Sequence, residues 1–420
     1  MKVIEFSECF PNKYEPFSGE FVYRHIINLS KYVDIKTIVP LRYVPPKVLY
    51  SINPIKSVSN FSNWYTALKG TENISQDKLE VIYLRYVSLP KQNFDYQDLF
   101  LFRKIFFGKL KRLIENEKTD LIYCHWFRPG ILLCKKLSEH FNIPLILDHH
   151  EDIRSLNKTF PKKYHKMFKL FELADNIIVH SELNRDVLIE EAKEQGINLP
   201  KVIKVYYGQN FSISDEPKEF DPNELRLICV SRLAHERKRV DLLIKAVGLA
   251  MKDPGFNRKL SLKIVGDGVM RSTYEKLTKE LSLTGTIKFM GNKNHDEIEK
   301  LLEASDLFIL PSNYEAFGIV FSEALAKGVP VITCKGSGGG EELANLGGCA
   351  ELVTPNSEIE LSKKIIELGN DHDKLKNMSE KGKKIVRENF TWEKNALNTF
   401  NILKNIISSY KRNNLTNTEC

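Results

Sequence analysis

The 420-residue chain has no run of about 18 consecutive apolar residues, so a membrane-spanning helix is not expected. Its 7 cysteines are scattered and none forms a Cys-x2-Cys pair. That argues for reduced thiols in a cytosol, and against a disulfide frame or a zinc knuckle. The start alternates charged and apolar residues and lacks a basic segment leading into an apolar one, so a secretory signal peptide is not expected either. Asn-x-Ser triplets such as Asn28-Leu29-Ser30 then read as a by-product of an Asn-rich composition. Short repeats and low-complexity blocks are absent. Charge is not one-sided: 62 Lys and Arg against 54 Asp and Glu leave a net +8. This mild excess permits anionic partners, such as phosphates or lipid headgroups, and does not demand nucleic acid. With 42% hydrophobic and 28% charged residues the mix is that of a globular protein, which excludes a disordered or collagen-like chain. The length suits two or three domains.

Strand-like apolar runs alternate with helical stretches. In the first half the runs lie at residues 2–6, 35–39, 121–123, 145–147 and 177–179, with a helical pattern at 19–31. In the second half they lie at 225–231, 260–265, 286–289, 307–310, 329–333 and 350–353. The alternation predicts two doubly wound α/β domains with parallel sheets. Residues 41–95, with Pro45, Pro46, Pro54 and Trp64, read as a long insertion or mobile loop. Residues 211–223 read as the linker, and residues 392–411 as one long helix before a polar tail. Ligands of such sheets bind beyond the carboxyl ends of the strands, so the informative residues are those that follow each run.

After the run at 307–310 comes Pro-Ser-Asn-Tyr-Glu-Ala-Phe-Gly-Ile-Val-Phe-Ser-Glu-Ala, with Glu315 and Glu323 separated by seven residues. Gly318 lets backbone approach a ligand, and the N–H groups of Phe317, Gly318, Ile319 and Val320 would form an anion site at a helix start. An acid beside such a site suits hydroxyl binding; a helix cap with solvated acids is the other reading. After the run at 225–231, Arg232 and Lys238 share one loop and can reach a diphosphate, or simply make surface pairs. Gly266-Asp267-Gly268 is a turn at a strand end that lacks the third glycine of a dinucleotide fingerprint. Gly336-Ser337-Gly338-Gly339-Gly340 exposes backbone N–H groups for phosphate or sugar, or is a flexible connector; no Gly-Lys-Ser/Thr follows, so it is not a P-loop. In the first half, Pro16-Phe17-Ser18-Gly19 precedes a helix and either faces a diphosphate or forms a turn and cap. Asp148-His149-His150-Glu151-Asp152 follows a strand and lacks the spacing of a metal-binding helix, so it reads as a polar active-site loop. His125-Trp126 reads as a packed core pair, and Asp371-His372-Asp373 as a solvated loop.

Taken in order, these pieces resemble the retaining glycosyltransferases of family 4. They are the Arg232 and Lys238 loop, the Gly266–Gly268 turn, the Glu315-x7-Glu323 element around Phe317-Gly318, the Gly-Val-Pro-Val-Ile strand at 328–332 and the glycine loop. Gly19, and His149 with Asp152, fit the first half of that pattern; His150 and Arg239 stand where glycine is usual. The resemblance implies the two-domain GT-B fold, α/β with two Rossmann-like sheets. Residues 1–215 would bind the acceptor, residues 216–390 the nucleotide-sugar donor, and residues 391–412 would form a helix crossing back to the first domain, opened by Trp392. By the same resemblance, Arg232 and Lys238 would hold the diphosphate without a metal and stabilise the leaving nucleotide. The 317–320 backbone, Gly19, Gly266 and Gly291 would line the donor. Glu323 would bind the ribose hydroxyls, Glu315 the transferred sugar, and His149 would contact the sugar near the reacting carbon. The departing phosphate would help deprotonate the acceptor. No cofactor is implied beyond a UDP- or GDP-linked sugar as co-substrate.

The start resembles the subgroup that builds bacterial surface glycans on lipid carriers. Two basic amphipathic stretches suit an anionic membrane surface, or else pack on the core with a solvated basic face. One carries Arg103, Lys104, Lys109, Lys111 and Arg112; the other carries Lys158, Lys162, Lys163, Lys166 and Lys169. A cytoplasmic enzyme, peripheral on the inner face of the plasma membrane, is the resulting expectation, with a glycan or lipid-linked acceptor. The competing readings are a nucleotide-sugar epimerase or phosphorylase on the same fold, and a decayed transferase that only binds glycans or membranes. A phosphorylase would need a lysine-held pyridoxal phosphate, for which no site stands out, and retention of Arg232, Lys238, Glu315 and Glu323 together argues against decay.

Overall fold

In the computed structural model, which describes residues 1–11, 18–43, 54–67, 79–87, 96–127, 129–151, 153 and 164–416, the apolar runs become two parallel sheets. The chain divides into a first unit (Met1–His180, Arg185–Val205 and Asn395–Cys420) and a second (Ser181–Asn184 and Tyr206–Lys394). The first holds β1 (Lys2–Ser7), β2 (Asp34–Tyr43), β3 (Glu80–Val87), β4 (Leu121–His125), β5 (Leu145–Asp148), β6 (Asn176–Val179) and β7 (Lys201–Lys204), in the order β3-β2-β1-β4-β5-β6-β7. The second holds β8 (Glu224–Val230), β9 (Lys259–Val265), β10 (Ile287–Gly291), β11 (Leu307–Ile309), β12 (Val331–Cys334) and β13 (Ala350–Val353), in the order β10-β9-β8-β11-β12-β13. Strands covered by helices on both faces need apolar residues on both, and β4, β5 and β12 are buried throughout. In each sheet the strand order reverses beside the first strand, between β1 and β4 and between β8 and β11. These are the points where loops diverge and leave a crevice.

Three departures from the sequence reading stand out. Residues 41–95 are not simply an insertion: they hold the end of β2, the helix Pro54–Ala67 and β3, which pairs with β2 from Lys36↔Glu80 to Tyr43↔Val87. The edge strand β7 was not anticipated at all. Residues 211–223 are not a free linker. Phe211 and Phe220 are buried, the Ser214 N–H donates to the Ala326 carbonyl at 3.2 Å and Lys218 Nζ to the Glu303 carbonyl at 2.8 Å, so the change of unit falls earlier, at Val205–Tyr206. The long helix Trp392–Thr416 returns Ala396, Leu403 and Ile407 to the first unit's core beside Val22, Ile26 and Leu29. Among the described residues no helix is long and apolar enough to cross a membrane.

Candidate functional site

In the second unit the site grows from backbone seams at the switch point. The loop after β8 lies against the Gly266–Gly268 turn after β9: the Ser231 N–H donates to Val265 O at 3.0 Å, Leu233 N–H to Asp267 O at 2.9 Å and Met270 N–H to Leu233 O at 2.9 Å. At Gly266 (φ 122°) a Cβ would sit 2.0 Å from Ser231 O, and at Gly268 (φ 154°) 2.4 Å from Leu233 O. The glycines are therefore required by contact with the loop itself. Gly291 accepts the Gly266 N–H at 2.8 Å and extends the seam. Held this way, Arg232 is exposed and makes no ion pair among the described residues. Lys238 ends a short 3-10 turn (Glu236–Lys238) and turns inward. Arg239 follows in the left-handed region (φ 50°), the conformation for which glycine is the ordinary choice, and pairs with Asp241 at 3.1 Å.

Opposite this loop, β11 delivers Glu315. Its Oε1 accepts from Lys238 Nζ and from Ser312 Oγ, both at 2.6 Å, and its backbone N–H donates to Ser337 O at 2.8 Å. The glycine-rich loop packs on this segment: a Cβ at Gly338 would lie 2.3 Å from Glu315 O, and one at Gly339 1.6 Å from Phe317 O. Phe317 is buried, while Gly318 (φ 76°) turns the chain into the helix Ile319–Ala326. The N–H groups of Gly318, Ile319 and Val320 have no partner among the described residues and are the free donors of a helix start, an arrangement that suits an anion. One turn on, Glu323 is 8% exposed and makes no hydrogen bond among the described residues. Burial, helped by the Glu299 charge, pushes its carboxyl up to about 7.

Several supporting residues were not found from sequence. Asn184 is buried, donates to Ala316 O at 3.4 Å and accepts from the Tyr314 hydroxyl, bracketing Glu315. Glu342 accepts the Glu182 N–H at 2.9 Å and the Tyr206 hydroxyl at 2.7 Å. Their signal was weak, because Asn184 and Tyr206 are far from the motif in sequence. Asp267 pairs with Arg271 at 2.8 Å, and Asp371 caps the helix His372–Asn389 through the Lys374 N–H.

In the first unit, Gly19 (φ 67°) is another seam, where a Cβ would meet Cys9 O at 2.1 Å. Pro16, Phe17 and Asp152 lie outside the described residues. His149 is fully buried, its ring 5.6 Å from Phe127 and 5.1 Å from Phe171 between centroids. Burial drives its imidazole down to about 3. Its neighbours belong to a polar cluster that sequence reading did not assemble. β1, β4 and β5 carry Glu5, His125 and Asp148 near their carboxyl ends, and His180 follows β6. The register places His125 beside Asp148. Asp148 accepts from His180 Nε2 at 2.6 Å and from the Tyr123 hydroxyl. Burial opposes its ionisation, but His150 and His180 outweigh that and hold the carboxyl well below its ordinary range. His125 and Trp126, read as a core pair, are both buried, and His125 belongs to this cluster.

Residues 210–385 match the family described as Glycosyl transferases group 1, and residues 69–196 the family described as Glycosyltransferase Family 4. An uncharacterized glycosyltransferase of Methanocaldococcus jannaschii is 30% identical over 289 residues, 68% of this chain and 75% of that protein. Among solved structures, sucrose-phosphate synthase from Thermosynechococcus elongatus aligns with a TM-score of 0.68 at 18% identity, over 97% of this chain and 100% of that one. The Anabaena protein HepE, solved with UDP and glucose, aligns with a TM-score of 0.63 at 21% identity, over 96% and 100%. At these identities the two structures share a fold with this chain, built of two parallel-sheet units.

Proposed function

This chain belongs to glycosyltransferase family 4 and has the GT-B fold; we propose that it is a retaining enzyme transferring a hexose-type sugar from UDP or GDP to a glycan or lipid-linked acceptor. The observation that carries the reading is the grouping of Lys238, Glu315 and Ser312 in the unit that also bears the unpartnered N–H groups of the helix start and Glu323. In this reading the donor diphosphate takes Arg232 as a fork and Lys238 as a point charge, and the first-turn N–H groups add to them. These charges meet the negative charge that develops on the leaving nucleotide without a divalent ion on the phosphates. Glu315 accepts from hydroxyls of the transferred sugar, and Glu323 from the ribose. His149 contacts the sugar near the reacting carbon, which requires its ring to leave its place between Phe127 and Phe171. The departing phosphate oxygen takes the acceptor's proton as the new bond forms on the same face.

For the acceptor we favour a lipid-linked glycan of cell-surface polysaccharide synthesis, presented at the cytoplasmic face of the membrane. The support is the helix Tyr96–Glu117. Phe102, Phe106, Leu110 and Ile114 are buried, yet Phe100, Leu101 and Ile105 remain exposed among Lys104, Lys109 and Arg112. An apolar edge flanked by cations suits anionic headgroups. The second basic stretch gives less: Tyr164, Met167 and Phe168 face the core while Lys166 and Lys169 are solvated, and Lys158, Lys162 and Lys163 lie outside the described residues.

A thermal-shift screen of UDP, GDP and their sugars tests the donor reading. A nucleotide at about 100 times its Kd adds roughly 2.7 kcal/mol to the unit it binds, a shift of several degrees. A selective shift by one nucleotide identifies the donor class; no shift with any of them refutes the donor reading.

A further inference from the structure

The buried cluster of the first unit takes no part in the transfer chemistry proposed above. The His125 and His150 rings are nearly parallel, with centroids 5.0 Å apart and 9° between planes, as are those of His150 and His180, at 4.8 Å and 10°. His125 Nδ1 and His150 Nε2 face each other at 2.7 Å, and the Asp148 carboxylate lies 3.9 Å from the first and 3.5 Å from the second. The ligand atoms of these three residues all fall within 4.8 Å of one another. An ion held at roughly 2.0–2.2 Å by nitrogen and oxygen ligands matches a triangle of this size, with the rings turning from their mutual hydrogen bond toward it.

A second observation points to the same place. Glu5 is fully buried, and neither of its carboxylate oxygens has a hydrogen-bond partner among the described residues; Thr37 is its polar neighbour on the sheet. Its Oε1 lies 3.3 Å from His125 Nε2, which is itself buried and unpartnered. A metal-bound imidazole characteristically turns its other ring nitrogen to a carboxylate, and Glu5 occupies that position. Asp148 is oriented in the same manner, by the Tyr123 hydroxyl on one oxygen and His180 on the other, and His180 is fixed in turn by Val205 O at 2.8 Å.

We propose that His125, Asp148 and His150 bind one divalent transition-metal ion of the zinc type, with Glu5, Tyr123 and His180 orienting the ligands. Two imidazoles and one carboxylate favour zinc, nickel, copper or iron over magnesium or calcium. The ion ties the ends of β4 and β5 together on both sides of His149. All three ligands belong to the first unit, whereas Arg232 and Lys238 belong to the second. The proposal departs from the sequence reading, which expected no metal, because strand register brings together residues that no local motif links.

The test uses the full chain, stripped with EDTA, dialysed into metal-free buffer and titrated with CoCl2. One equivalent of Co2+ should bind with a visible ligand-field spectrum, and one equivalent of Zn2+ should displace it. Glu5→Gln should weaken binding by about 10–100-fold, and His150→Gly by at least as much. His165→Ala, an exposed histidine outside the cluster, should bind as the parent does. Circular dichroism of each stripped variant checks folding, and the near-isosteric Glu5→Gln decides the matter if His150→Gly does not fold. Absence of stoichiometric Co2+ binding by the parent, or unchanged affinity in a folded Glu5→Gln or His150→Gly, overturns the proposal. Metal binding is read without sugar or nucleotide, so the result is independent of the transferase reading.

Discussion

Replacing Glu323 by glutamine removes a buried charge while keeping the side chain's shape. Burial, with a smaller contribution from Glu299, raises the carboxyl from 4.5 to about 7. A carboxyl with a higher pKa in the folded than in the unfolded chain holds its proton more tightly when folded. Its contribution is fully present below about pH 4.5 and is lost as the pH rises through about 7. The difference between those limits is roughly 3 kcal/mol, at 1.36 kcal/mol per pKa unit. Glu323→Gln should therefore flatten the pH dependence of stability and leave the second unit more stable than the parent at about pH 8.5, by up to roughly 3 kcal/mol. For a unit of about 190 residues that is on the order of 6–10 °C. Scanning calorimetry of both full chains from about pH 5 to pH 8.5, without nucleotide, measures it. Ribose hydroxyls donating to Glu323 favour the charged form, so nucleotide binding should release a proton, and the parent's affinity should rise with pH across this range. Glu323→Gln should bind more weakly and with little pH dependence. Parallel stability curves for the two proteins, or a less stable variant at about pH 8.5, would refute the argument.

Glu315→Ala and Lys238→Ala should each lower kcat strongly and retain the native circular dichroism spectrum; a double-mutant cycle on stability should return a coupling of about 1–3 kcal/mol for this largely buried pair. Near-normal turnover in both single variants would remove the site assignment. Gly339→Ala drives a Cβ into Phe317 O and should lower both Tm and activity, whereas Gly336→Ala meets open space and should cost only about 1 kcal/mol for its positive φ; equal effects in a thermal melt would contradict the seam. Lys104→Gln, Lys109→Gln and Arg112→Gln should each weaken binding to vesicles containing anionic lipid by about 1 kcal/mol, read by flotation at low salt. If the parent chain stays at the bottom of the gradient, the membrane reading fails.

The first unit shows where a sequence stops being legible. Its inner strands were visible as apolar runs because both faces are buried. β3 was hidden although Glu-Val-Ile-Tyr-Leu-Arg-Tyr-Val is rich in β-branched and aromatic residues, because the prolines and polar residues around it dominated the reading of 41–95. The histidine cluster was hidden for a different reason. Glu5, His125, Asp148 and His180 each look ordinary at a strand end, and only the register, Ser7↔His125 and His125↔Asp148, makes them neighbours. The departure at His150, where glycine is usual, was noticed, but its partner His125 lies on another strand.

The second unit was more legible because its chemistry sits in local motifs, yet the physical reason for several motif residues differs from the one the sequence suggested. Gly266 and Gly268 read from sequence as a plain turn, and Gly338 and Gly339 as part of a loop offering N–H groups or of a flexible connector, but their missing Cβ atoms are required by Ser231, Leu233, Glu315 and Phe317 backbone. A glycine turn that makes a backbone-to-backbone seam within the unit fixes the height of the loop it supports, here the loops bearing Arg232 and Glu315. Such loops cannot relax around a misplaced side chain, since the colliding atoms are backbone and no rotamer change relieves them. Substituting one of these glycines should therefore move an acid or a cation that is not itself substituted. That distinguishes a seam from a ligand-facing turn. Gly338→Ala, which meets Glu315 O, should raise the KM for the sugar nucleotide and lower kcat together, as loss of Glu315 placement would. A rise in KM with kcat unchanged would return Gly338 to the role of a ligand contact.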